Sequence, residues 1–282
     1  MCNAIRVMKD SSNLQCLDYS VLMAVHANEN VSLFEGALKS LISQSSRPAD
    51  VVLVKDGPLT VELDSIVFKY SQRLPINVIS LNMNRGLGIA LKEGLVHCKY
   101  ALVGRADSDD INLPHRFKTQ VNFLNERLDV DVLGSNLVEL DGKIRRIKKV
   151  PLSVTVGFKT FFRNPLNHQT VMFRKQAVMA VGGYEDCPSF EDYTLWCKLL
   201  KNGTKIVNLD EPLVEANIDD LIGKRSGHQY AKKEKAFYQK LYYLFPKYKL
   251  IILLAASSRI SLRYIPSALV TKIYYSLRIT DR

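Results

Sequence analysis

The sequence predicts an α/β protein: a mostly parallel central sheet with flanking helices, followed by a C-terminal helical tail. Two observations predict it. From Tyr19 to Val103, short apolar runs alternate with helical-period stripes across short connections, the pattern of strand–helix–strand units. Beyond residue 230 the composition turns to Lys, Tyr, Leu, Ile and Arg, which suits amphipathic helices.

The elements follow in order. Residues 19–25 (YSVLMAV) read as a buried strand. Ser32-x-x-Glu35 is a capping-box signature, and Phe34, Ala37, Leu38 and Leu41 follow at helical spacing, with Pro48 as the stop. Residues 51–54 (VVLV) form a second strand ending at Asp56-Gly57-Pro58. Leu63, Ile66, Val67 and Tyr70 mark a helix, and residues 76–81 a third strand. Asn84-Arg85-Gly86-Leu87-Gly88 leads into a helix, and residues 100–103 form a fourth strand ending at Arg105-Ala106-Asp107-Ser108-Asp109-Asp110.

After Pro114 the rhythm changes. Phe117, Val121 and Leu124 mark a helix, residues 130–140 read as extended, and Asp141-Gly142 is a hairpin signal. Residues 170–173 read as a strand, 190–200 as a helix stopped at Asn202-Gly203, and 219–229 as a polar loop. This gives an N-terminal extension over 1–18, an α/β domain over 19–230 and a basic tail over 231–282.

The chain has 282 residues, 47% hydrophobic and 24% charged, a balance that excludes a disordered or fibrous protein. Five cysteines without C-x-x-C spacing fit a reducing cytoplasm better than a disulfide framework. Of the net +11, the tail carries +9, from eleven Lys/Arg against Glu234 and Asp281. The N-terminus lacks an apolar signal region, and no run approaches the ~18 apolar residues of a spanning helix. A soluble or peripheral protein is expected.

Ligands of open parallel sheets bind outside the carboxyl ends of the strands. Three polar clusters sit there: His26-Ala27-Asn28-Glu29, Asp56-Gly57 and Asp107 to Asp110. Asp-x-Asp alone is also a common solvated turn; at a strand end it supplies hard oxygen ligands for Mg²⁺ or Mn²⁺ shared with a diphosphate. Asp56 could accept from a nucleobase imide, or simply shape its turn. Glu191-Asp192 opens a helix, where acids favour the dipole and where a carboxylate could serve as general base. Lone His168 reads as structural or functional, and Arg225 to His228 as a diphosphate-contacting or a surface loop. Gly86-x-Gly88 lacks the third glycine of a dinucleotide fingerprint, and no G-x-x-x-x-G-K-[ST] loop is present, which excludes NAD and P-loop readings.

In this order, the clusters resemble family 2 glycosyltransferases of the GT-A fold, of the kind that build bacterial amylovoran, capsule and O-antigen polysaccharides. RADSDDINLPHRF (105–117), NPLNHQTVMFRKQAV (164–178) and GGYEDCPSFEDYTLW (182–196) carry the likeness, which spans residues 19–230. It implies inverting transfer of a sugar from a nucleotide-diphosphate donor, with a UDP-sugar expected, to a glycan or lipid-linked acceptor. By position, Ala24, His26, Glu29 and Asp56 would line the nucleoside pocket, with Arg85 near the base or phosphate. Asp107 would face the ribose, and Asp109 would ligate Mn²⁺ or Mg²⁺. Asp192 would be the catalytic base, with Glu191 beside it and His168 on the acceptor side. Two departures stand out: His26 replaces the usual aromatic after the first strand, and His228 is the one histidine available as a late metal ligand.

The basic, aromatic tail reads as a membrane-surface element, attracted to anionic lipid by about 1 kcal/mol per nearby Lys or Arg; a helical appendage packed on the domain is the plainer reading. It places the enzyme in the cytoplasm, at the inner face of the membrane. A sugar nucleotidyltransferase would need a Gly-rich basic loop after the first strand, where His26 to Glu29 stand instead. A nucleic-acid-binding protein finds no motif beyond the charge of the tail, so nucleic acid is not an expected partner.

Overall fold

The computed structural model describes residues 18–142, 144–218 and 225–265. The first part alternates strictly: β1 (Tyr19–Val25), α1 (Val31–Ile42), β2 (Asp50–Lys55), α2 (Val61–Ser71), β3 (Ile76–Ser80), α3 (Leu87–His97) and β4 (Leu102–Arg105). After it come β5 (Ile111–Asn112), α4 (Arg116–Glu126), β6 (Val132–Asp141), β7 (Ile144–Lys148), β8 (Ser153–Val154) and α5 (Phe158–Phe162). A 3₁₀ turn (His168–Thr170), β9 (Met172–Arg174), α6 (Lys175–Ala180), α7 (Glu191–Lys201) and β10 (Ile206–Asn217) complete the sheet layer. The chain then turns into α8 (Gly227–Leu244) and α9 (Lys249–Leu262).

One sheet runs β3-β2-β1-β4-β9-β6-β10-β5, with β7 on β6 and β8 on β10. β3, β2, β1 and β4 are parallel, whereas β9 is antiparallel to both β4 and β6. After β3 the chain crosses to the far side of β1, so the β1/β4 boundary is the topological switch point, where the two connections splay apart and leave a crevice.

Alternating strand residues explain the two cores. Val21, Met23, Val51 and Leu53 face Phe34, Leu38, Leu63 and Phe117 from α1, α2 and α4. Leu22, Ala24, Val52 and Val54 face Leu91, Leu95, Val178 and Trp196 from α3, α6 and α7. Burial on both faces is why these strands read as continuous apolar runs.

A third cluster joins the tail helices to the domain. Phe190, Tyr193 and Cys197 pack with Phe161 of α5 and with Phe237, Tyr238 and Leu241 of α8. Fully buried Glu234 accepts from Arg259 Nε at 2.7 Å and Arg263 Nε at 2.6 Å, stapling α9 to α8. One of the two acids of the tail is therefore an internal ion-pair hub, and the appendage is packed rather than loose.

Several local expectations need correction. The cap of α1 is Asn30, whose Oδ1 accepts from Ser32 N and Leu33 N, so the box anticipated at Ser32 and Glu35 does not form. Glu35 instead takes Lys69 and Tyr70 of α2. The helix ends at Ile42, well before Pro48, because Gln44 Nε2 donates to the 112–113 carbonyls and draws the chain away. The loop expected over 219–229 ends earlier: α8 begins at Gly227, inside it, so this helix also runs across the boundary drawn at residue 230. Residues 219–224, the extension before Asp18 and the tail beyond Ile265 lie outside the described residues.

Candidate active site

At the switch point the ends of β1, β2 and β4 enclose a cavity of about 180 Å³, lined by Ala24, His26, Glu29, Asp56, Leu87, Arg105, Asp107 and Asp109, among others. Strand direction alone brings them together, since each follows or ends a parallel strand.

The acidic loop after β4 is braced from beneath by two buried arginines. Arg105, 1% exposed, pairs through Nη2 with Asp107 Oδ1 and through Nη1 with the Ala106 carbonyl. Arg116, fully buried, opens α4 and donates from Nη2 to the Arg105 carbonyl at 2.6 Å, from Nη1 to Asn112 Oδ1, and from Nε to Gln120 Oε1 at 3.2 Å. Burial lowers its guanidinium to about 9. The Arg in LPHRF therefore holds both ends of the 105–112 loop. Sequence reading missed it; a lone Arg entering an otherwise apolar helix face was the available signal.

Burial first, then Asp107 and Glu29, pushes Asp109 up to about 6. Burial also raises Asp110 well above its ordinary value, with Asp107 and Asp109 adding repulsion. Three carboxylates this close need a cation to ionise together. Asp107, Asp109 and Asp110 each bring an oxygen within 4.8 Å of the others, and Asp110 Oδ2 is buried without a hydrogen-bond partner. An all-oxygen set with an unspent lone pair fits a hard divalent ion.

Asp56, 4% exposed, accepts from Arg85 N at 2.7 Å and from Gly86 N at 2.9 Å. It thus fixes the loop before α3 while keeping lone pairs toward the cavity. Gly57, at φ +90°, is required there: a Cβ would stand 2.7 Å from Asn84 N. The Arg85 side chain is exposed. His26 lies 3.7 Å from Glu29 Oε1, an ion pair when the ring is protonated, and its Nδ1 accepts from Asn28 N at 3.2 Å.

Against Gly88 of α3, α7 starts with Glu191 and Asp192. Asp192 Oδ2 accepts from Asn164 Nδ2 at 2.7 Å and Oδ1 from Tyr193 N at 2.6 Å, the pattern of an acceptor-only carboxylate. Burial, with Asp192 next, raises Glu191 to about 7. Gly88 explains how this helix meets the donor side. A Cβ there would come within 2.3 Å of the Glu185 carbonyl and 3.0 Å of Glu191 Cβ, so glycine lets α3 abut the start of α7. Asn164, the first residue of the NPLNHQTVMFRKQAV stretch, carries no spacing signal for this role; two loops distant in sequence meet at it.

His168 sits between Tyr184 and Trp196, with Nε2 3.0 Å from Tyr184 Oη, and burial lowers its pKa. His228 lies exposed in the first turn of α8, its Nδ1 3.2 Å from Tyr264 Oη, and is not part of the aspartate cluster. The structure thus gathers Ala24, His26, Glu29, Asp56, Asp107 and Asp109 around one cavity, with Glu191 and Asp192 starting the helix that packs against Gly88, next to the lining residue Leu87.

The family model for glycosyl transferase family 2 matches residues 20–182, more than half of the chain. The chain belongs to this family. It is 36% identical to an uncharacterized glycosyltransferase of Haemophilus influenzae over 92% of this chain and 98% of the relative. It is 35% identical to the amylovoran biosynthesis glycosyltransferase AmsE of Erwinia amylovora, over 78% and 84% of the two chains. It is also 35% identical to the Escherichia coli UDP-Gal:alpha-D-GlcNAc-diphosphoundecaprenol beta-1,3-galactosyltransferase, over 91% and 94%. Among solved structures, S. aureus TarS 1-349 in complex with UDP-GlcNAc aligns with a TM-score of 0.62 at 22% identity, over 80% of this chain and 67% of that one. The fold is that of a GT-A glycosyltransferase, as the motifs implied.

Proposed function

We propose that this family 2 glycosyltransferase moves a sugar from a UDP-sugar to a hydroxyl of a glycan or lipid-linked acceptor in surface-polysaccharide assembly, inverting the anomeric carbon. One observation supports the reading: the switch-point cavity is lined by Asp107 and Asp109 of the aspartate cluster and by Leu87, and the neighbouring Gly88 abuts Glu191, next to the hydrogen-bonded Asp192. The names of the E. coli relative and of the TarS complex, both with UDP-sugars, support the choice of donor.

In this reading Ala24, His26, Glu29 and Asp56 hold the nucleoside, Arg85 lies near the base or phosphate, and Asp107 faces the ribose. Asp109, with Asp107 and Asp110, would hold Mn²⁺ or Mg²⁺. Such a cation, when bound, offsets negative charge on the departing diphosphate. Asp192 accepts the proton of the acceptor hydroxyl, whose oxygen bonds the anomeric carbon as the bond to the diphosphate breaks on the opposite face. Asn164 keeps that carboxylate aimed, and Glu191 contacts the acceptor. His168, engaged by Tyr184, is assigned to positioning rather than to the acceptor. His228 is replaced as a ligand by the third aspartate.

No described helix is long and apolar enough to cross a membrane. We assign peripheral contact with anionic lipid at the inner membrane face to 231–282, where Tyr243, Leu250, Leu253 and Leu254 are more than half exposed beside Lys247 and Lys249.

Calorimetric binding of UDP, GDP and dTDP, with Mn²⁺ and with EDTA, tests the donor site. UDP binding that needs Mn²⁺ and disappears in Asp109→Asn is expected; no nucleotide binding at all would sink the reading. Proton NMR of the product would show inversion as a changed anomeric coupling.

A further inference from the structure

The tail helices reach the end of α5, and α5 leads directly to the residue that aims Asp192. α5 has only five residues, and the last carbonyls of a helix have no partner within it. Those of Thr160, Phe161 and Phe162 each accept from a different helix instead. Tyr193 Oη of α7 donates to the Thr160 carbonyl, Tyr238 Oη of α8 to that of Phe161 at 2.8 Å, and Arg259 Nη1 of α9 to that of Phe162 at 2.8 Å. The Phe161 ring, fully buried, lies against Phe245 and Tyr248 at the turn between α8 and α9. Asn164 follows two residues after Phe162 and donates to Asp192 at 2.7 Å.

Arg259 is the most distant of these donors in sequence, 97 residues from Phe162. Its Nε is engaged by Glu234 Oε1 at 2.7 Å, and fully buried Glu234 also accepts from Arg263 Nε at 2.6 Å and Nη2 at 3.1 Å. The planar guanidinium is thus fixed on one edge by a charge-assisted bond while the other edge reaches α5, which makes it a rigid spacer between α8 and α5. The start of α7 is backed by the same tail. The Phe190 ring stacks on Phe237 of α8 at 4.8 Å, and Ser189 before it holds φ +70°, a conformation a serine keeps only where its surroundings impose it. Asp192 and its Asn164 partner therefore stand on supports that both end in the tail.

We propose that Arg259 is a positioning residue for Asp192, acting through the Phe162 carbonyl and Asn164. This rests on the reading of Asp192 as the base, and it gives the tail a part in catalysis besides any contact with lipid. Without the guanidinium the Phe162 carbonyl loses its donor, the chain after α5 shifts, and the Asn164 amide no longer meets the carboxylate. A misplacement on the order of 1 Å at a reacting group can cost about a hundredfold in rate.

The test is NMR of the full chain carrying isotope-labelled asparagine, reading the Asn164 side-chain amide, which is assigned by its loss in Asn164→Ala. Arg259→Gln should move that signal most of the way to the position it takes in Asp192→Ala, where the bond is gone. Arg259→Lys keeps the charge beside Glu234 but not the planar fork that spans Glu234 and the Phe162 carbonyl, so it should fold and still move the signal. Arg263→Gln is the control. Arg263 bonds Glu234 and the Arg225 carbonyl, and no bond from it to α5 exists among the described residues. It should leave the signal in place. UDP affinity at the wild-type value reports correct folding of each variant. An unmoved Asn164 signal in a folded Arg259 variant would overturn the proposal. An equal movement in Arg263→Gln would overturn it too, by reducing the effect to general loosening of the tail. Wild-type turnover in Asp192→Asn is a separate result: it would overturn the base assignment, and this inference with it, whatever the Asn164 signal does.

Discussion

The two halves of the catalytic layer position their carboxylates by different means. In the half built from β3, β2, β1 and β4, each functional residue follows a parallel strand, so strand register alone delivers Asp56 and Asp107 to one crevice. In the half built from β6 to β10, the sheet is mixed and Asp192 is set by a side chain 28 residues away. A site placed by register is aimed by its strands and only braced by side chains beneath it. A site made by one long-range hydrogen bond depends on that bond.

The sharpest way to separate the halves is Asp192→Asn. Turnover should fall by about 10²–10⁴, the range for loss of a general base, while UDP affinity measured by calorimetry stays at the wild-type value. A parallel loss of UDP binding would mean that the halves are one unit.

Arg116→Leu strikes the donor half where it does depend on a side chain. It leaves the Arg105 carbonyl and Asn112 Oδ1 without their buried donor. Urea unfolding should show a loss of about 3 kcal/mol, the upper range for stranding buried polar groups, with weaker UDP·Mn²⁺ binding. An unchanged midpoint would show that the loop needs no such brace.

Asn164→Ala should lower kcat by about tenfold to a hundredfold through misplacement of Asp192, with the KM for the donor unchanged. If KM moved instead, Asn164 would belong to the donor half.

A further effect concerns pH. The raised pKa of Glu191, about 7 against 4.5 for an ordinary Glu, means that the folded state binds the proton more tightly than the unfolded chain does. Below pH 4.5 both states are protonated and this group costs nothing; as pH rises through 7 the folded state must bury a charge. Glu191→Gln should therefore stabilise the metal-free protein more at pH 8 than at pH 5, by about 2–4 °C in Tm per kcal/mol relieved. Equal shifts at both pH values would break the assignment.

Particular residues show what was legible. Val21 to Val25 and Val51 to Val54 announce buried parallel strands because both faces must be apolar, and the clusters after them announce the crevice. Phe34, Leu38 and Leu41 give the buried face of α1, but its cap was misplaced by two residues, because Asn30 competes for the same amides. Asp192 was visible as an acid at a helix start; its partner Asn164 was not, because no spacing rule links loops from opposite sides of β9. The His228 expectation rested on the late histidine of the family pattern, and its Tyr264 contact depends on how α9 folds back.

Local periodicity, turn chemistry and the order of polar clusters set the fold class, the crevice and the acidic loop of this protein, since those depend on interactions within a few residues or on strand direction. The meeting of Asn164 with Asp192 and of Arg116 with both ends of the acidic loop was decided by tertiary packing. These side chains find one another only once separate elements have docked, and their energies come from burial that no local stretch of chain contains.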